Sequence, residues 1–294
     1  MKILLIANCH VEPLGWFLSA HNDVEKILTI PIHLAGTKHF ERYKNEFENS
    51  YDPDEYVVLT FHNNDSHGKF SFKELSSLNS RVYSITNLFF SGLHPDITYC
   101  GNLGRRIQSP LGDYHSKIIL CSYLSNRSTD ICIKSFNQKF YEDFKYFDEY
   151  GDSSNKLIKR DSINSIKFAE EFLEIVKKTP SLFTINHPVG NIFQEFSIFI
   201  ASKLGLNLKR WPISMIPNHL SNSAWWPIYP EFSDHFLLKY KTPFIFKQPI
   251  NMGRRFFSLE DFVLSSYKIY SDNDSIVRAA KLPDSLVNII DRES

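Results

Sequence analysis

The chain has 294 residues, of which 43 % are hydrophobic and 15 % aromatic, and its 33 basic residues balance 33 acidic ones. This content supports a full core in one large domain or two small ones, and it excludes a disordered protein. A net charge of zero argues against nucleic acid as a partner. The four cysteines form no CxxC pair, which predicts reduced thiols, no metal site and a cytoplasmic location.

The first 90 residues alternate short aliphatic runs with polar stretches. The runs cover 3–7, 27–32, 56–61 and 81–85, and the stretches between them at 12–21, 38–49 and 72–78 are long enough for helices. This rhythm predicts parallel strands joined by right-handed crossover helices, in a three-layer α/β unit of the flavodoxin-like or SGNH-like kind. No run approaches the roughly 20 apolar residues of a membrane helix, so we expect no membrane insertion.

Ligands of parallel sheets bind beyond the carboxyl ends of the strands. We therefore expect the loops at 8–13, 62–68 and 86–95 to converge on one crevice. Residues 89–111 are rich in Gly and Pro and are predicted to form an ordered loop. Loops of this length often carry function.

The second half of the chain is predicted to be largely helical and rich in loops. Apolar residues at helical spacing predict a helix over 163–176, capped by Asp161 or Ser162, and a second helix from about Ile192 to Gly205.

These patterns suggest two subdomains. We assign 1–125 to an α/β parallel-sheet subdomain that carries the reactive strand-end loops. We assign 126–294 to a mainly helical subdomain that packs on the first to form a ligand cradle.

Cys9 is the first candidate for a reactive residue. A strand that ends in Asn8-Cys9-His10, followed by a helix from about Glu12, places the thiol at a helix N terminus, where backbone N–H groups favour the thiolate. The alternative is that Cys9 is a small core residue. His10 either orients or deprotonates a neighbouring group, or it faces solvent.

Asn63 and Asn64 follow the third predicted strand. A side-chain amide at this position is a candidate donor to the oxyanion of an acyl-transfer reaction. The alternative is a polar loop with a turn at 65–68.

Two later segments contain histidines beside polar side chains. Tyr114-His115-Ser116 offers an aromatic face, a base and a hydroxyl, although Ser116 is also suited to cap the next helix. Asn186-His187 precedes Pro188, which keeps His187 out of the helical region, so that it is a candidate general base as well as a candidate cap or core residue.

The loop GNLGRR at 101–106 combines glycines with Arg105 and Arg106. Backbone N–H groups and guanidinium groups both bind phosphate, so these arginines are candidates for cofactor binding. The loop matches neither a Walker motif nor a GxGxxG motif, and the alternative is an exposed basic loop.

Five segments, in this order, resemble the WcbI family of polysaccharide-biosynthesis proteins. They are ILLIANCHVEPL, TNLFFSGLHPDITYCG, SPLGDYHSKIIL, TINHP and WWPIYP, and the resemblance extends over about residues 1–230. This sequence departs from the family pattern at His10, where the family usually has Gln. This puts in doubt any role that needs an amide there.

The resemblance implies a protein that binds coenzyme A in a deep, loop-lined pocket and acetylates capsular sugars, in contact with other capsule-biosynthesis enzymes. Acetyl-CoA and a sugar or glycan acceptor are then the partners. Within the matching segments, the polar residues Asn8 and Asn186 become candidates for binding substrate. The residues Asn87, His94 and Tyr114 become candidates for binding the cofactor.

The order of the parts also resembles that of SGNH hydrolases. In that layout Cys9 replaces the nucleophilic serine, Asn63 or Asn64 donates to the oxyanion, and His187 is the base. The Gly-Asp-Ser motif of those hydrolases is absent. Only the layout is therefore shared.

Three functions follow as hypotheses. The first is an O-acetyltransferase that uses acetyl-CoA, with His115 or His187 as the base that deprotonates a sugar hydroxyl. The second is a thiol or serine esterase that acts on acylated glycans and needs no coenzyme A. The third is a regulator that binds coenzyme A without catalysis.

Overall fold

The computed structural model describes residues 1–61, 65–102, 106–207, 209–253 and 255–280. The strands are β1 (Lys2–Ala7), β2 (Lys26–Pro31), β3 (Tyr56–Thr60), β4 (Val82–Ser84), β5 (Ile97–Thr98), β6 (His115–Ser116), β7 (Leu182–Thr184), β8 (His187–Pro188), β9 (Phe246–Lys247) and β10 (Phe256–Phe257). The helices are α1 (Val11–Ser19), α2 (Phe40–Ser50), α3 (Phe72–Leu78), α4 (Lys117–Leu124), α5 (Thr129–Lys134), α6 (Gln138–Asp143), α7 (Glu149–Asp161), α8 (Ala169–Val176), α9 (Gly190–Lys203), α10 (Pro230–His235), α11 (Leu259–Asp272) and α12 (Asp274–Ala279). Within these ranges, no helix is long and apolar enough to cross a lipid bilayer.

The first four strands form one parallel sheet in the order β2-β1-β3-β4. The two central strands read KILLIA and YVVLT, and residues 3–7 of β1 are completely buried. A strand covered on both faces needs such an unbroken apolar run. The helices α1, α2 and α3 connect successive strands, as predicted. The predicted α/β fold class is therefore confirmed.

The helix predicted over 163–176 begins later than expected. Ile166 forms a parallel bridge with Ile85, just beyond β4, and its N–H bonds to the carbonyl of Ser84. The helix α8 therefore starts only at Ala169. Asp161 is the last residue of α7, yet it still caps α8, because its Oδ2 accepts a 2.8 Å hydrogen bond from the Ala169 N–H.

The chain divides into two compact units, each made of three segments. The first unit contains residues 1–88, 155–176 and 188–220, and the second contains residues 89–154, 177–187 and the described part of 221–294. In the first unit, α1 packs against α9 of the same unit. The sequence-based boundary at residue 125 stays a prediction.

The second unit is organised around the buried carboxylate of Asp96. Its oxygens accept hydrogen bonds from the hydroxyls of Tyr229 (2.7 Å) and Tyr146 (3.0 Å). They also accept one from the Ile118 N–H (3.0 Å), in the first turn of α4. A buried carboxylate is stable only with several donors, so Asp96 holds these segments of the second unit together.

Candidate functional site

A cavity of about 150 Å³ lies within the first unit at the carboxyl edge of the sheet. All four strands contribute the residues that follow them. The lining comprises Asn8, Ile32, Phe61, Ile85, Thr86 and Asn87 from the strand ends, with Leu157, Arg160, Asp161 and Asn164 from α7 and the turn after it. The expected convergence of the strand-end loops is thus confirmed for the first and third loops.

Asn8 connects two of these loops. Its Nδ2 donates to Oδ1 of Asn87 at 3.4 Å, and its Oδ1 accepts from the N–H of His10 at 3.0 Å. The second bond closes the turn that carries Cys9 from β1 into α1. Asn8 and Asn87 therefore both lie at the candidate site, where the sequence placed them.

Cys9 occupies that turn and is partly exposed, whereas Cys100, Cys121 and Cys132 are buried. The thiolate predicted from the helix N terminus is contradicted. Burial raises the pKa of the Cys9 thiol to about 11, and a backbone hydrogen bond only partly opposes this effect. Cys9 is thus accessible but protonated near neutral pH.

His10 does not face solvent. It is 1 % exposed, and its ring packs edge-on against Phe193 of α9 and Phe61 after β3, at centroid distances of 5.4 and 6.3 Å. The imidazole therefore anchors α1 to the aromatic core of the first unit, next to Cys9 in sequence.

Sequence reasoning missed His33. The parallel register pairs Ala7 of β1 with Pro31 of β2, so Cys9 and His33 both lie two residues beyond a paired position on neighbouring strands. Partial burial of the ring lowers the pKa of His33, and the charge of Glu12 and a hydrogen bond to the Asn8 backbone only partly oppose this effect. The imidazole is therefore neutral at pH 7, the form that accepts a proton.

Arg160 was missed as well. It lies at the end of α7 and lines the cavity with Asn8 and Asn87. Partial burial lowers the pKa of its guanidinium, and the nearby carboxylate of Asp161 opposes this shift. No local motif marks Arg160, because the strand-end loops that complete its surroundings are distant in sequence.

In the second unit, two of the predicted motifs meet. The Tyr114 hydroxyl donates to Oδ1 of Asn186 at 2.7 Å and lies 3.4 Å from Nδ1 of His187. The rings of Tyr114 and His187 pack edge-on at 5.8 Å. The second unit therefore brings together three candidates that the sequence named separately.

His115 and Ser116 are structural. Nδ1 of His115 lies 2.7 Å from the Tyr270 hydroxyl and Nε2 lies 2.8 Å from the carbonyl oxygen of Ile107, so both nitrogens are occupied. Burial lowers the pKa of His115 to about 4. Ser116 caps α4, because its hydroxyl accepts a hydrogen bond from the Ile119 N–H. The sequence had offered this capping role as an alternative. These contacts place His115 in the core, and its role as a base stays a prediction.

His94 also lies in the core of the second unit. Its Nε2 is 3.1 Å from the carbonyl oxygen of Trp226, and the residue is 1 % exposed. Burial lowers its pKa to about 4. His94 therefore joins two segments of the second unit, and its role in cofactor binding stays a prediction.

Arg106 is held by two neighbours. Its Nη1 lies 2.9 Å from Oδ2 of Asp113, and its guanidinium stacks 3.7 Å from the centre of the Tyr99 ring.

The predicted candidates Asn63, Asn64 and Arg105 lie outside the described residues. Within the described ranges, no group of three or more His, Cys, Asp or Glu side chains is arranged to hold a metal ion.

Comparisons with known proteins agree with the motifs. A solved structure of WcbI, described as a polysaccharide biosynthesis enzyme in its native form without a disulfide bond between coenzyme A and a cysteine, matches with a TM-score of 0.71. The two sequences are 15 % identical, and the match covers 95 % of this chain and 92 % of the other. This match shows a common fold. A search of curated proteins found no match.

The family itself is shown by sequence. The sequence profile of the polysaccharide biosynthesis enzyme WcbI matches residues 2–209, which is more than half of the chain. That range includes four of the five motifs, and WWPIYP lies beyond it. The chain therefore belongs to the WcbI family of polysaccharide biosynthesis enzymes.

Proposed function

We propose that this protein binds coenzyme A with the thiol end of the ligand beside Cys9, and that it transfers an acetyl group from acetyl-CoA to a sugar hydroxyl in the cytoplasm. The observation that carries the proposal is the partial exposure of Cys9. It is the only one of the four cysteines that is not buried, and it follows β1 at the carboxyl edge of the sheet. The solved WcbI structure, described with reference to coenzyme A and a cysteine, supports this placement.

The chemistry is an acyl transfer. A base removes the proton of the sugar hydroxyl, and the oxygen attacks the carbonyl carbon of the thioester. The carbon–sulfur bond then breaks, and the sulfur of coenzyme A leaves with the proton that the base had taken. The products are an acetylated sugar and free coenzyme A, so no oxidant or further reactant is needed.

The pKa of Cys9 favours direct transfer over an acyl-cysteine intermediate. Because burial raises its pKa to about 11, the thiol is protonated at neutral pH. A thiol in this state is a weak nucleophile. We therefore assign Cys9 to contact with the sulfur of coenzyme A, and we expect kinetics without a ping-pong pattern.

Two histidines are candidates for the base. His33 follows β2, the strand that pairs with β1, and partial burial lowers its pKa. His187 is the candidate from the sequence, and it is held against Tyr114. The base should set the lower limb of the pH–rate profile. Replacing the base with Gln should therefore remove that limb and lower kcat by about a hundredfold, while replacing the other histidine should leave the limb in place.

The proposal is tested by titrating the purified protein with coenzyme A and acetyl-CoA in a calorimeter, followed by an assay for coenzyme A release with sugar acceptors. Micromolar binding that weakens in Cys9→Ala, with release of coenzyme A only when acceptor is present, is expected. Binding without turnover would favour a regulator. Hydrolysis of a simple ester without coenzyme A binding would favour the esterase.

A further inference from the structure

The cavity at the carboxyl edge of the sheet contains a positive charge that the acetyl-transfer chemistry leaves unused. Arg160 lines it, together with the side-chain amides of Asn8, Asn87 and Asn164. A guanidinium group can bind an oxyanion through two parallel N–H donors. Arg160 is thus the cationic side chain among the described residues of this lining.

Asp161 is the carboxylate among the described residues of the lining, and its oxygens are engaged. The oxygens of Asp161 accept hydrogen bonds from the Thr86 hydroxyl (2.6 Å), Nδ2 of Asn164 (2.8 Å) and the Ala169 N–H (2.8 Å). These donors are neutral and come from the end of β4, the turn after α7 and the start of α8. Asp161 thus fixes the end of α7, and Arg160 extends from a rigid support.

Asn87 adds a second donor. Its Oδ1 is occupied by the amide of Asn8, and the residue as a whole is exposed. With the oxygen engaged, the Nδ2 group is the part of this amide suited to donate to a ligand. Arg160 and Asn87 line the same cavity, from α7 and from the loop after β4.

We propose that Arg160 and Asn87 form a subsite that binds a carboxylate or phosphate group of the substrates. A cavity of about 150 Å³ accepts one such group with a few attached atoms, and is smaller than the pockets of roughly 300 Å³ or more that hold whole cofactors. This subsite rests on the proposed function, because the substrates of that function provide two sources of an anion. These are the phosphates of coenzyme A and the carboxylate of an acidic sugar acceptor.

Binding experiments with matched probes separate the two sources. Coenzyme A is compared with pantetheine, which lacks the phosphates, and glucuronate is compared with glucose. The proteins are the wild type, Arg160→Gln, Arg160→Lys and the control Arg210→Gln, an exposed arginine of the same unit that pairs with Glu195. We expect Arg160→Gln to weaken binding of one anionic probe at least tenfold and to leave its neutral counterpart unchanged.

Arg160→Lys keeps the charge but loses the paired donors, so it should show an intermediate loss. Arg160→Lys also tests the subsite if Arg160→Gln fails to fold. Equal affinity of wild type, Arg160→Gln and Arg160→Lys for both anionic probes would overturn the subsite, as would a failure of both probes to bind the wild type. If Arg160→Gln lost only the binding of glucuronate, the subsite would still be supported. A failure of coenzyme A to bind the wild type would count against the proposed function and not against the subsite.

Discussion

The amide of Asn8 donates a 3.4 Å hydrogen bond to Oδ1 of Asn87, although 79 positions separate the two residues. In the sheet order, β3 lies between the strands that precede them. The bond therefore spans the edge of the sheet and links the turn of Cys9 to the loop after β4. Asn8 also holds that turn through the N–H of His10.

Substitutions of Asn8 separate the effects of its two hydrogen bonds, to Asn87 and from the His10 N–H. Asn8→Asp keeps an acceptor for the His10 N–H but loses the donor to Asn87 and adds a negative charge to the cavity that Arg160 lines. We expect Asn8→Asp to weaken coenzyme A binding more than Asn8→Ala does, because the added charge repels an anionic ligand. Asn8→Ala should lower the free energy of unfolding by about 1 kcal/mol, since it removes two hydrogen bonds at a partly exposed site.

Calorimetric titration and urea unfolding measure the two effects. Asn155→Asp, at an exposed position on α7, is the matched control for the added charge and should change neither quantity measurably. If Asn8→Asp bound coenzyme A as tightly as Asn8→Ala, the anion would lie elsewhere.

Cys9 should be the only cysteine that reacts with a thiol reagent in the native protein. Cys100, Cys121 and Cys132 are buried and should react only after unfolding. Because the pKa of Cys9 is raised to about 11, its rate of alkylation should still rise about tenfold per pH unit from pH 8 to pH 10. An unperturbed thiol would approach its maximum rate within that range.

Mass spectrometry after iodoacetamide treatment measures the extent and position of labelling. Cys9→Ser should abolish native labelling, and coenzyme A should slow it in the wild type. A rate that reaches half its maximum near pH 8.5 and levels off by pH 10 would show that the thiol has an ordinary pKa, and it would return the acyl-cysteine route to consideration.

His94 and His115 should make the protein sensitive to acid. Burial lowers the pKa of each to about 4 in the native state, whereas an unfolded histidine titrates near 6.5. As the pH falls from about 6.5 to 4, the unfolded state takes up protons first, and stability is lost. Each histidine then removes roughly 3 kcal/mol over that window, with a slope of about 1.4 kcal/mol per pH unit.

Urea unfolding between pH 4.5 and 7.5 measures this slope. His94→Gln and His115→Gln should each reduce it by about 1.4 kcal/mol per pH unit near pH 5, and a substitution of the exposed His39 is the matched control. An unchanged slope in both variants would mean that other groups cause the acid sensitivity.

The sheet could be predicted from the sequence because each strand is a local signal. The runs around Leu4 and Val58 are apolar throughout, and the stretches between strands have the length of a crossover helix. Parallel connection then places Asn8 and Asn87 at one edge. That inference needs only the direction of the strands.

The roles of single polar residues could not be predicted in the same way. Tyr114-His115-Ser116 reads as one polar cluster, but Tyr114 bonds to Asn186 while His115 bonds to Tyr270 in the core. Which of two neighbouring side chains is buried depends on contacts with segments distant in sequence. Arg160 was missed for the same reason.

Gly190 lies where the fold leaves no room for a side chain. A Cβ added there would lie 2.2 Å from the carbonyl oxygen of Pro217 and 2.6 Å from Cγ2 of Ile216. Neither neighbour can move freely, because the Gly190 N–H bonds to Oδ1 of Asn218 in the same segment. Gly190→Ala should therefore lower the free energy of unfolding by about 3 kcal/mol.

Gly151 is the matched control, since it lies in α7 with nothing within 4 Å of an added Cβ. Gly151→Ala should raise the free energy of unfolding by about 0.5–1 kcal/mol, because alanine favours the helix. Urea unfolding measures the free energy of unfolding of both variants. Equal values for the two variants would show that the segment at Pro217 moves to make room for the added Cβ. Because α9 also carries Phe193, which packs against His10, Gly190→Ala should weaken coenzyme A binding under conditions where it remains folded, whereas Gly151→Ala should not.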